Sequence, residues 1–297
     1  MIRLILLFLG FSLLIGCASA DSPRLALTPV ADFPDRLSET SGLVAWQDGF
    51  ISHNDSGNGV ELFMLDAAGQ IREIWPLAGA RNRDWEDITI AGDTLYLADI
   101  GNNGGYRRDL VIYRLSMASQ AARAVQEIPV RYAEQTNFMP PQHRHNFDAE
   151  ALTWVDGELW LLTKRWLDEQ TALYKLDPGA PPTPLTEQQR LDTRMLVTAA
   201  DYDAGSQTLI VLGYGRNWLV RRAYLWLYPV RDGRIIEWQG RHFTLAEGGQ
   251  FEGVALGADG HLYLTREGYQ SNLFRSQQSL AVLLLGGLAQ GPDAPRP

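Results

Sequence analysis

Short apolar segments alternate along this chain with turns rich in Gly, Asp and Asn. Segments such as TLYLAD (94–99) and ELWLLT (158–163) are short apolar runs bounded by polar turn residues, a pattern typical of buried β-strands. The turns often pair Asp with Gly, and both residues accept the positive φ of a tight hairpin. The pattern therefore predicts antiparallel hairpins.

A unit of three or four such strands recurs five times, at intervals of roughly 50 residues. The five copies cover residues 41–65, 85–115, 149–176, 199–228 and 251–274. Repeated antiparallel units without intervening helices predict an all-β chain that forms a single β-propeller. We expect five blades, with six as the alternative, and a large β-sandwich is the competing architecture. The segment 25–33 has strand character and is expected to complete the last blade.

The N-terminus differs from the rest of the chain. Residues 4–16 form an apolar run that follows Arg3 and is too short for an ordinary transmembrane helix, so residues 1–16 are predicted to be a secretory signal peptide. We expect residues 24–290 to form the propeller domain and residues 291–297 a disordered tail. The net charge of −9 argues against a nucleic-acid partner.

Candidate functional residues converge on one end of the predicted channel. In a propeller the innermost strands all begin at the same end, and the loops after the second strands return to it. The residues that begin the innermost strands are Ser41, Glu86, Glu150, Ala200 and Glu252. The loops carry candidate ligand-binding residues His53, Asn54, Asn102, Asn103, Lys164, Arg165, Arg216 and Arg266. They also carry two candidate catalytic carboxylates, Asp55 and Asp99.

Three glutamates in a narrow channel repel one another, and an unpaired buried carboxylate is costly. The carboxylates can be protonated, paired with neighbouring cationic or N–H groups, or bound to a hard cation. An all-oxygen set of ligands favours Ca²⁺ as the cofactor. A Zn²⁺ site formed by His53, His143 and His145 with Asp55 is an alternative.

The starts of the innermost strands resemble those of the calcium-dependent nucleotidases, the apyrase-type five-bladed propellers. The segments that carry the resemblance are TSGLVAW, DWEDITI, DAEALTW, TAADYDA and FEGVALG. In that family the ion is held by Ser, Glu, Glu, Ser and Glu in blade order, so the resemblance implies a Ca²⁺ site in which Ala200 replaces the second Ser. It also implies that Asp55 acts on the substrate. HNDSG and ADIGNN also resemble a broad group of bacterial secreted propellers.

The sequence LIGC at 14–17 resembles the bacterial lipoprotein box. The resemblance implies that Cys17 carries lipids and anchors the chain to a membrane of the cell envelope. Because Ala18 rather than Asp follows the cysteine, it implies an outer-membrane lipoprotein that faces the periplasm or the cell surface. A soluble periplasmic protein is the alternative.

Three functions follow as hypotheses. The first is a metal-dependent hydrolase of phosphate anhydride or ester bonds, with Asp55 or Asp99 as general base. The second is a binding module with a structural ion, whose partner is an anionic small molecule, a glycan or another envelope component. The third is a glycosidase that uses Asp55 and Glu150.

Overall fold

The computed structural model describes residues 22–118, 125–217, 221–270 and 275–284. These residues form an all-β molecule whose sheets are arranged as a five-bladed β-propeller, which confirms the predicted fold class. No helix among the described residues has the length and apolar character needed to cross a membrane.

The first three blades are four-stranded antiparallel sheets in chain order. Blade 1 consists of Thr40–Trp46, Gly49–Asn54, Glu61–Asp66 and Ile71–Pro76. Blade 2 consists of Trp85–Ala91, Thr94–Asp99, Val111–Ser116 and Gln126–Pro129. Blade 3 consists of Ala149–Val155, Glu158–Thr163, Thr171–Leu176 and Gln189–Leu191.

The last two blades recruit strands from the N-terminal part of the chain. Blade 4 consists of Leu196–Asp203, Thr208–Tyr214, Arg222–Arg231 and Arg241–Gly248, with the short strands Arg234–Ile235 and Arg24–Leu25 added. Blade 5 consists of Phe251–Leu256, Leu262–Arg266, Ser279–Leu283 and Thr28–Asp32. A small hairpin pairs Tyr269–Gln270 with Arg275–Ser276, and two 3₁₀ turns cover Asp35–Leu37 and Glu237–Gln239.

The ring is closed by the strand Thr28–Asp32, which lies antiparallel to Ser279–Leu283 as the outer strand of blade 5. This strand lies within the segment 25–33, which the sequence predicted to complete the last blade. The third strand of blade 5 is Ser279–Leu283, which lies beyond the predicted fifth unit of residues 251–274. Because Thr28–Asp32 pairs with Ser279–Leu283, blade 5 has four strands and the ring of blades is closed.

Hydrophobic side chains pack between neighbouring blades, with one core cluster for each of the five blade contacts. The cluster between blades 2 and 3 contains Tyr96, Ile112, Leu159 and Tyr174, all of them buried. Burial between sheets, rather than disulfides, therefore stabilises the ring.

We define the mouth of the channel as the end at which the innermost strands begin and the second strands finish. In blade 4, Leu196 at the start of the first strand pairs with Tyr214 at the end of the second, so both lie at the mouth. The turn between them, around Asp203 and Thr208, lies at the opposite end. The direction of the strands therefore decides which residues lie together at the mouth.

Candidate functional site

A β-bulge interrupts the innermost strand of every blade close to its start. In each strand one residue has no partner in the register, and these residues are Gly42, Glu86, Glu150, Thr198 and Glu252. A bulge re-aims the side chain of the extra residue. The three bulged glutamates line one cavity at the mouth.

The fourth blade shows a difference from the sequence-based alignment. The bulged residue there is Thr198, and its Oγ1 donates a 2.6 Å hydrogen bond to the carbonyl of Phe251 in blade 5. Ala200 is two residues further along the strand, buried between blades, with its N–H donating to Asp87 at 3.2 Å. In blade 1, Ser41 precedes the bulge, and its Oγ donates a 2.6 Å hydrogen bond to the carbonyl of Glu86.

The cavity at the mouth has a volume of about 390 Å³. It is lined by Glu39, Ser41, Asp55, Ser56, Glu86, Asn103, His143, Glu150, Lys164, Trp166, Tyr214, Gln250, Glu252, Glu267 and Gly268. Residues from all five blades therefore meet there, although they are separated by more than 200 positions in the sequence. The three candidate glutamates and Asp55 are brought together, and Ala200 is not among the lining residues.

Burial raises the pKa of most carboxyl groups around this cavity. The pKa of Asp55 rises to about 7, first because of burial and then because of its acidic neighbours Glu150 and Glu252. Burial raises the pKa of Glu252 to about 7, and burial together with the charge of Glu150 raises the pKa of Glu86 well above its usual value. Like charges in a poorly solvated site favour the protonated form of a carboxyl group. These carboxyl groups would release their protons if a cation took the place of the protons.

Lys164 is the one Lys or Arg among the described residues that line the cavity. Its Nζ lies 2.8 Å from Glu150 Oε2, and both side chains are buried. Burial opposes the charge of the lysine, but Glu150, Tyr214 and Glu252 raise its pKa well above the usual value. The ammonium group also faces the rings of Trp166 and Tyr214 at 5.2 and 5.3 Å. Glu150 is therefore already neutralised by a partner.

A second group of carboxylates lies at the blade 2 side of the cavity. One oxygen each from Asp55, Asp84 and Glu86 lie within 4.8 Å of one another. Within the described part of the chain, this is the only set of three His, Cys, Asp or Glu side chains arranged to hold a metal. Asp84 was not among the predicted site residues; it immediately precedes the innermost strand of blade 2, and burial raises its pKa to about 6.

Glu86 is the unusual member of this group. Its side chain is 4% exposed, yet its carboxylate receives no hydrogen bond and forms no ion pair with any residue that the structure describes. A poorly solvated carboxylate without protein partners is stabilised by taking up a proton, as its raised pKa indicates, or by binding a cation. Gly101 leaves the space these carboxylates use, because a Cβ there would overlap Glu86 Oε1 and collide with Asp84 Oδ2.

Asp99 lies outside the cavity and orients the residues beside it. It is 1% exposed, and its Oδ1 lies 2.8 Å from Nη2 of Arg107. Its carboxylate also accepts hydrogen bonds from the backbone N–H groups of Arg83 and Asp84, at 3.4 and 3.1 Å. Since its oxygens are occupied by these partners, Asp99 holds the segment that presents Asp84.

The arginines predicted to surround the cavity have other partners. Arg165 Nε donates to Asp168 Oδ1 at 2.9 Å, and Arg216 Nε lies 3.3 Å from Glu169 Oε1. Arg266 Nε donates to the carbonyl of Gln277. The cavity therefore lacks the ring of arginines that the sequence suggested.

The asparagines predicted to bind a ligand mainly hold loops together. Asn54 Nδ2 donates to the carbonyl of Arg36 at 2.7 Å, and Asn102 Nδ2 donates to the carbonyl of Phe147 at 2.9 Å. Asn103 does line the cavity, where its Oδ1 lies 3.2 Å from Nε2 of His143.

The three histidines of the alternative zinc site, His53, His143 and His145, lie in different environments. His53 is fully buried beside Gly42 and edge-on to Trp85, and burial lowers its pKa to about 4. His143 stacks on Trp166 with ring centroids 3.9 Å apart, and His145 Nε2 lies 3.1 Å from the carbonyl of Asn103. The structure therefore does not gather them into a zinc-binding set.

No family model matches this chain, and no curated protein matches it. Solved structures that resemble it include a glucose dehydrogenase, at 11% identity and a TM-score of 0.49, over 86% of this chain and 98% of that chain. The WD40 repeats of RRP9 align at 10% identity and a TM-score of 0.44, over 90% and 98% of the two chains. The hydrazine synthase of Kuenenia stuttgartiensis aligns at 12% identity and a TM-score of 0.43, over 80% of this chain and 58% of its own. At such low identity the likeness concerns the fold alone.

Proposed function

We propose that this propeller binds a divalent, oxygen-preferring cation, Ca²⁺, through Asp55, Asp84 and Glu86 at the mouth of the channel. The observation that supports this proposal is the buried carboxylate of Glu86, which faces the cavity without a partner among the described residues. Carboxylates are the ligands that calcium prefers, and Ser56 and Asn103 line the same cavity with further oxygens. The set keeps Glu86 from the predicted calcium site, adds Asp84, and gives Asp55, which the sequence predicted to be catalytic, the role of a ligand.

The other residues predicted to hold the ion have partners of their own. Glu150 is bound to Lys164, and the hydroxyl of Ser41 donates to the backbone of the next blade. Glu252 also lines the cavity, where its Oε1 is 3.4 Å from Nε2 of Gln250. In the proposed site these residues form the wall of the cavity rather than the nearest ligands.

We propose further that the cavity hydrolyses phosphate anhydride or ester bonds. A cation bound there would supply positive charge that orients a phosphate oxygen. Lys164 is the cationic group of the cavity wall, and a substrate phosphate would share its ammonium group with Glu150. Glu252, whose pKa is raised to about 7 by burial, is suited to accept a proton from the attacking water near neutral pH. Asp99 is a positioning residue in this scheme, because its oxygens are occupied.

A binding module with a structural ion is the second candidate. The pairing of Arg107, Arg165 and Arg216 with carboxylates favours it, because few cationic groups remain to stabilise charge on a transferring phosphoryl group. Because Asp55 and Glu150 line the same cavity, glycosidase activity is assayed together with the other two candidate functions.

Replacing Glu86 by Gln is expected to weaken calcium binding at least tenfold, because it removes a charged ligand without changing the size of the side chain. Calorimetric titration with CaCl₂ and the calcium-dependent rise in Tm measure the effect. Glu39→Gln is the matched control, since Glu39 is exposed at the rim of the same cavity. An equal loss in both variants, or a wild-type protein that does not bind calcium, would contradict the proposed site.

Phosphate release from pyrophosphate, nucleoside diphosphates and phosphomonoesters separates the candidate functions. Calcium-dependent release that is lost in Glu86→Gln supports the hydrolase. Calcium binding without release of phosphate supports the binding module, and hydrolysis of nitrophenyl glycosides supports the glycosidase. Each outcome is read on the same purified protein.

The substitution Gly101→Ala takes up space beside the carboxylates of Glu86 and Asp84 without changing their charge. Its Cβ would overlap the carboxylate oxygens of Glu86 and Asp84, so we expect calcium affinity to fall by about tenfold or more, a loss of at least 1.4 kcal/mol. Gly179→Ala is the control, because Asp177 Oδ1, at 3.3 Å, is the one atom of the described residues that its Cβ would meet. Unchanged calcium affinity in Gly101→Ala would show that the ion binds elsewhere.

We also propose that Cys17 is lipidated and anchors the protein in the cell envelope, in the outer membrane. The proposal rests on the apolar run of residues 4–16 and on the LIGC sequence that ends it. The intact mass of the purified protein tests it, since lipidation adds acyl chains to Cys17. Cys17→Ser is expected to release the protein into the soluble fraction.

A further inference from the structure

Four arginines gather on the outer part of blade 2. They are Arg81, Arg83, Arg108 and Arg131, and they line a cavity of about 310 Å³, which we call the arginine cavity. Arg81 and Arg83 precede the innermost strand of the blade, Arg108 precedes the third strand, and Arg131 follows the outermost strand. Cationic groups of the kind that the cavity at the mouth lacks therefore meet further out on the propeller.

Two of the acidic groups that line the arginine cavity are already paired. Asp109 lies between two arginines, with its Oδ2 3.0 Å from Nε of Arg83 and its Oδ1 3.3 Å from Nε of Arg107. Asp99 Oδ1 lies 2.8 Å from Nη2 of Arg107. The charges of these two carboxylates and two arginines therefore balance one another.

The other three arginines have no acidic partner among the described residues. Arg81, Arg108 and Arg131 are exposed, and none of them forms an ion pair within the part of the chain that the structure describes. The guanidinium of Arg108 lies 3.6 Å from the ring centroid of Phe138, which restricts where it can point. Glu127 is the one further acid among the described residues that line the cavity. The arginine cavity therefore has an excess of positive charge.

A groove connects the arginine cavity with the proposed calcium site. Its middle part is a cavity of about 660 Å³, the connecting cavity, which shares Arg83 with the arginine cavity. At its other end it shares Ser56 and Asn103 with the cavity at the mouth. Asp84 lines the connecting cavity and Glu86 lines the cavity at the mouth, so the proposed ion lies where the two cavities meet.

The strand register gives the length of this groove. One row of paired residues crosses the four strands of blade 2 at the mouth end, and it consists of Trp85, Asp99, Val111 and Pro129. Glu86 follows the first residue of this row, and Arg131 lies just beyond the last. Neighbouring strands are about 4.8 Å apart, so the two ends of the row are separated by about 14 Å. A ligand that reaches from the calcium site to the arginine cavity must therefore be extended.

We propose that the arginine cavity binds a phosphate group, and that it is the outer end of a groove for linear polyphosphate. The guanidinium group presents parallel N–H donors that match the oxygens of a phosphate. One end of the chain then lies at the ion held by Asp55, Asp84 and Glu86, and phosphates further along reach the arginines. The use of the groove for a substrate rests on the hydrolase proposed above, whereas phosphate binding by the arginines does not require the ion.

The residues between the two ends fit such a chain. Arg83, Asn103 and Gln142 line the connecting cavity, and their side chains carry N–H groups that can donate to phosphate oxygens. Asp84 is the one acid among the described residues that line it, and the proposed ion would neutralise its charge. A single phosphate ion would fill only the arginine cavity and would leave this middle part without a role.

Calorimetric titration of the purified protein with linear polyphosphate in calcium-free buffer measures the arginine cavity by itself. We expect Arg108→Gln and Arg131→Gln each to weaken binding by about tenfold, because each removes charge-assisted hydrogen bonds to phosphate. Arg234→Gln is the matched control, since Arg234 is also exposed but lies at the end of the propeller opposite the mouth. Thermal unfolding checks that the three variants are folded. An equal loss in Arg234→Gln, or unchanged binding in both cavity variants, would refute the phosphate site.

Titration with inorganic phosphate distinguishes a free ion from a chain. An affinity for phosphate equal to that for polyphosphate, expressed per phosphate group, would refute the extended groove.

The role in catalysis has its own readout. With calcium present, Arg131→Gln is expected to raise the KM for polyphosphate more than the KM for pyrophosphate, which is too short to reach both ends. An equal effect on the two substrates would refute the role of the groove in catalysis. The two proposals fail separately: a protein that binds polyphosphate but releases no phosphate refutes the hydrolase, whereas lost selectivity for the cavity arginines refutes only the groove.

Discussion

Replacing Asp87 by Ala is expected to lower the free energy of unfolding by about 3 to 5 kcal/mol. The side chain is fully buried, and its carboxylate accepts hydrogen bonds from the backbone N–H groups of Ile88, Leu152 and Ala200, at 2.8, 2.9 and 3.2 Å. These donors belong to blades 2, 3 and 4. Removing the carboxylate leaves three buried N–H groups without partners and disconnects three blades at the axis of the ring.

Denaturant unfolding of two further variants provides the comparison. Asp201→Ala also removes a buried carboxylate, but its donors are only Tyr202 N and Leu256 N, from blades 4 and 5. We therefore expect a smaller loss for this variant, about 2 kcal/mol. Glu127→Ala, at an exposed position, is expected to change little. A loss in Asp87→Ala no greater than that in Glu127→Ala would show that the blades are held without this residue.

Calcium is expected to stabilise the protein strongly at pH 8 and hardly at pH 5. Burial raises the pKa of Asp84 to about 6 and that of Asp55 to about 7, so both ligands are protonated in the acidic range. Calcium must displace those protons at pH 5 but not at pH 8. At pH 8 and one hundred times Kd, binding contributes about 2.7 kcal/mol to the free energy of unfolding.

Without calcium, the free energy of unfolding is expected to fall as the pH rises from 5 to 8. Groups whose pKa is raised on folding hold protons that the unfolded chain has already released, so their contribution to stability is present below about pH 4 and is lost as pH rises through about 7. Thermal unfolding between pH 5 and 8, with calcium or with a chelator, measures both trends. A calcium-induced change in Tm that is the same at pH 5 and pH 8 would contradict the assigned ligands.

The arrangement of strands was predictable because it depends on local chemistry. Asp156 and Gly157 occupy the turn between two apolar strands of blade 3, and both have positive φ, as a tight hairpin requires. Repetition of that signal predicted the blades, and the common direction of the innermost strands predicted that Glu86, Glu150 and Glu252 would meet. These inferences need no knowledge of side-chain packing.

The partners of individual side chains were not predictable in this way. A bulge adds one residue without changing the apolar pattern, so Ala200 was aligned with the glutamates although Thr198 occupies that position. Arg165 and Asp168 are close in sequence, but only the loop conformation brings them into an ion pair. The neighbouring acids Glu86 and Asp87 have opposite roles, one facing the cavity and the other buried among backbone donors, and composition does not distinguish them.

The pairing of Thr28–Asp32 with Ser279–Leu283 has a consequence for biosynthesis. The first of these strands leaves the ribosome well before its partner, and the other four blades are made in between. Blade 5 cannot be completed before then, so its exposed edge needs protection during synthesis. Folding of the whole ring must therefore wait for Ser279–Leu283, and a chain truncated before residue 279 is expected to remain open and prone to aggregation.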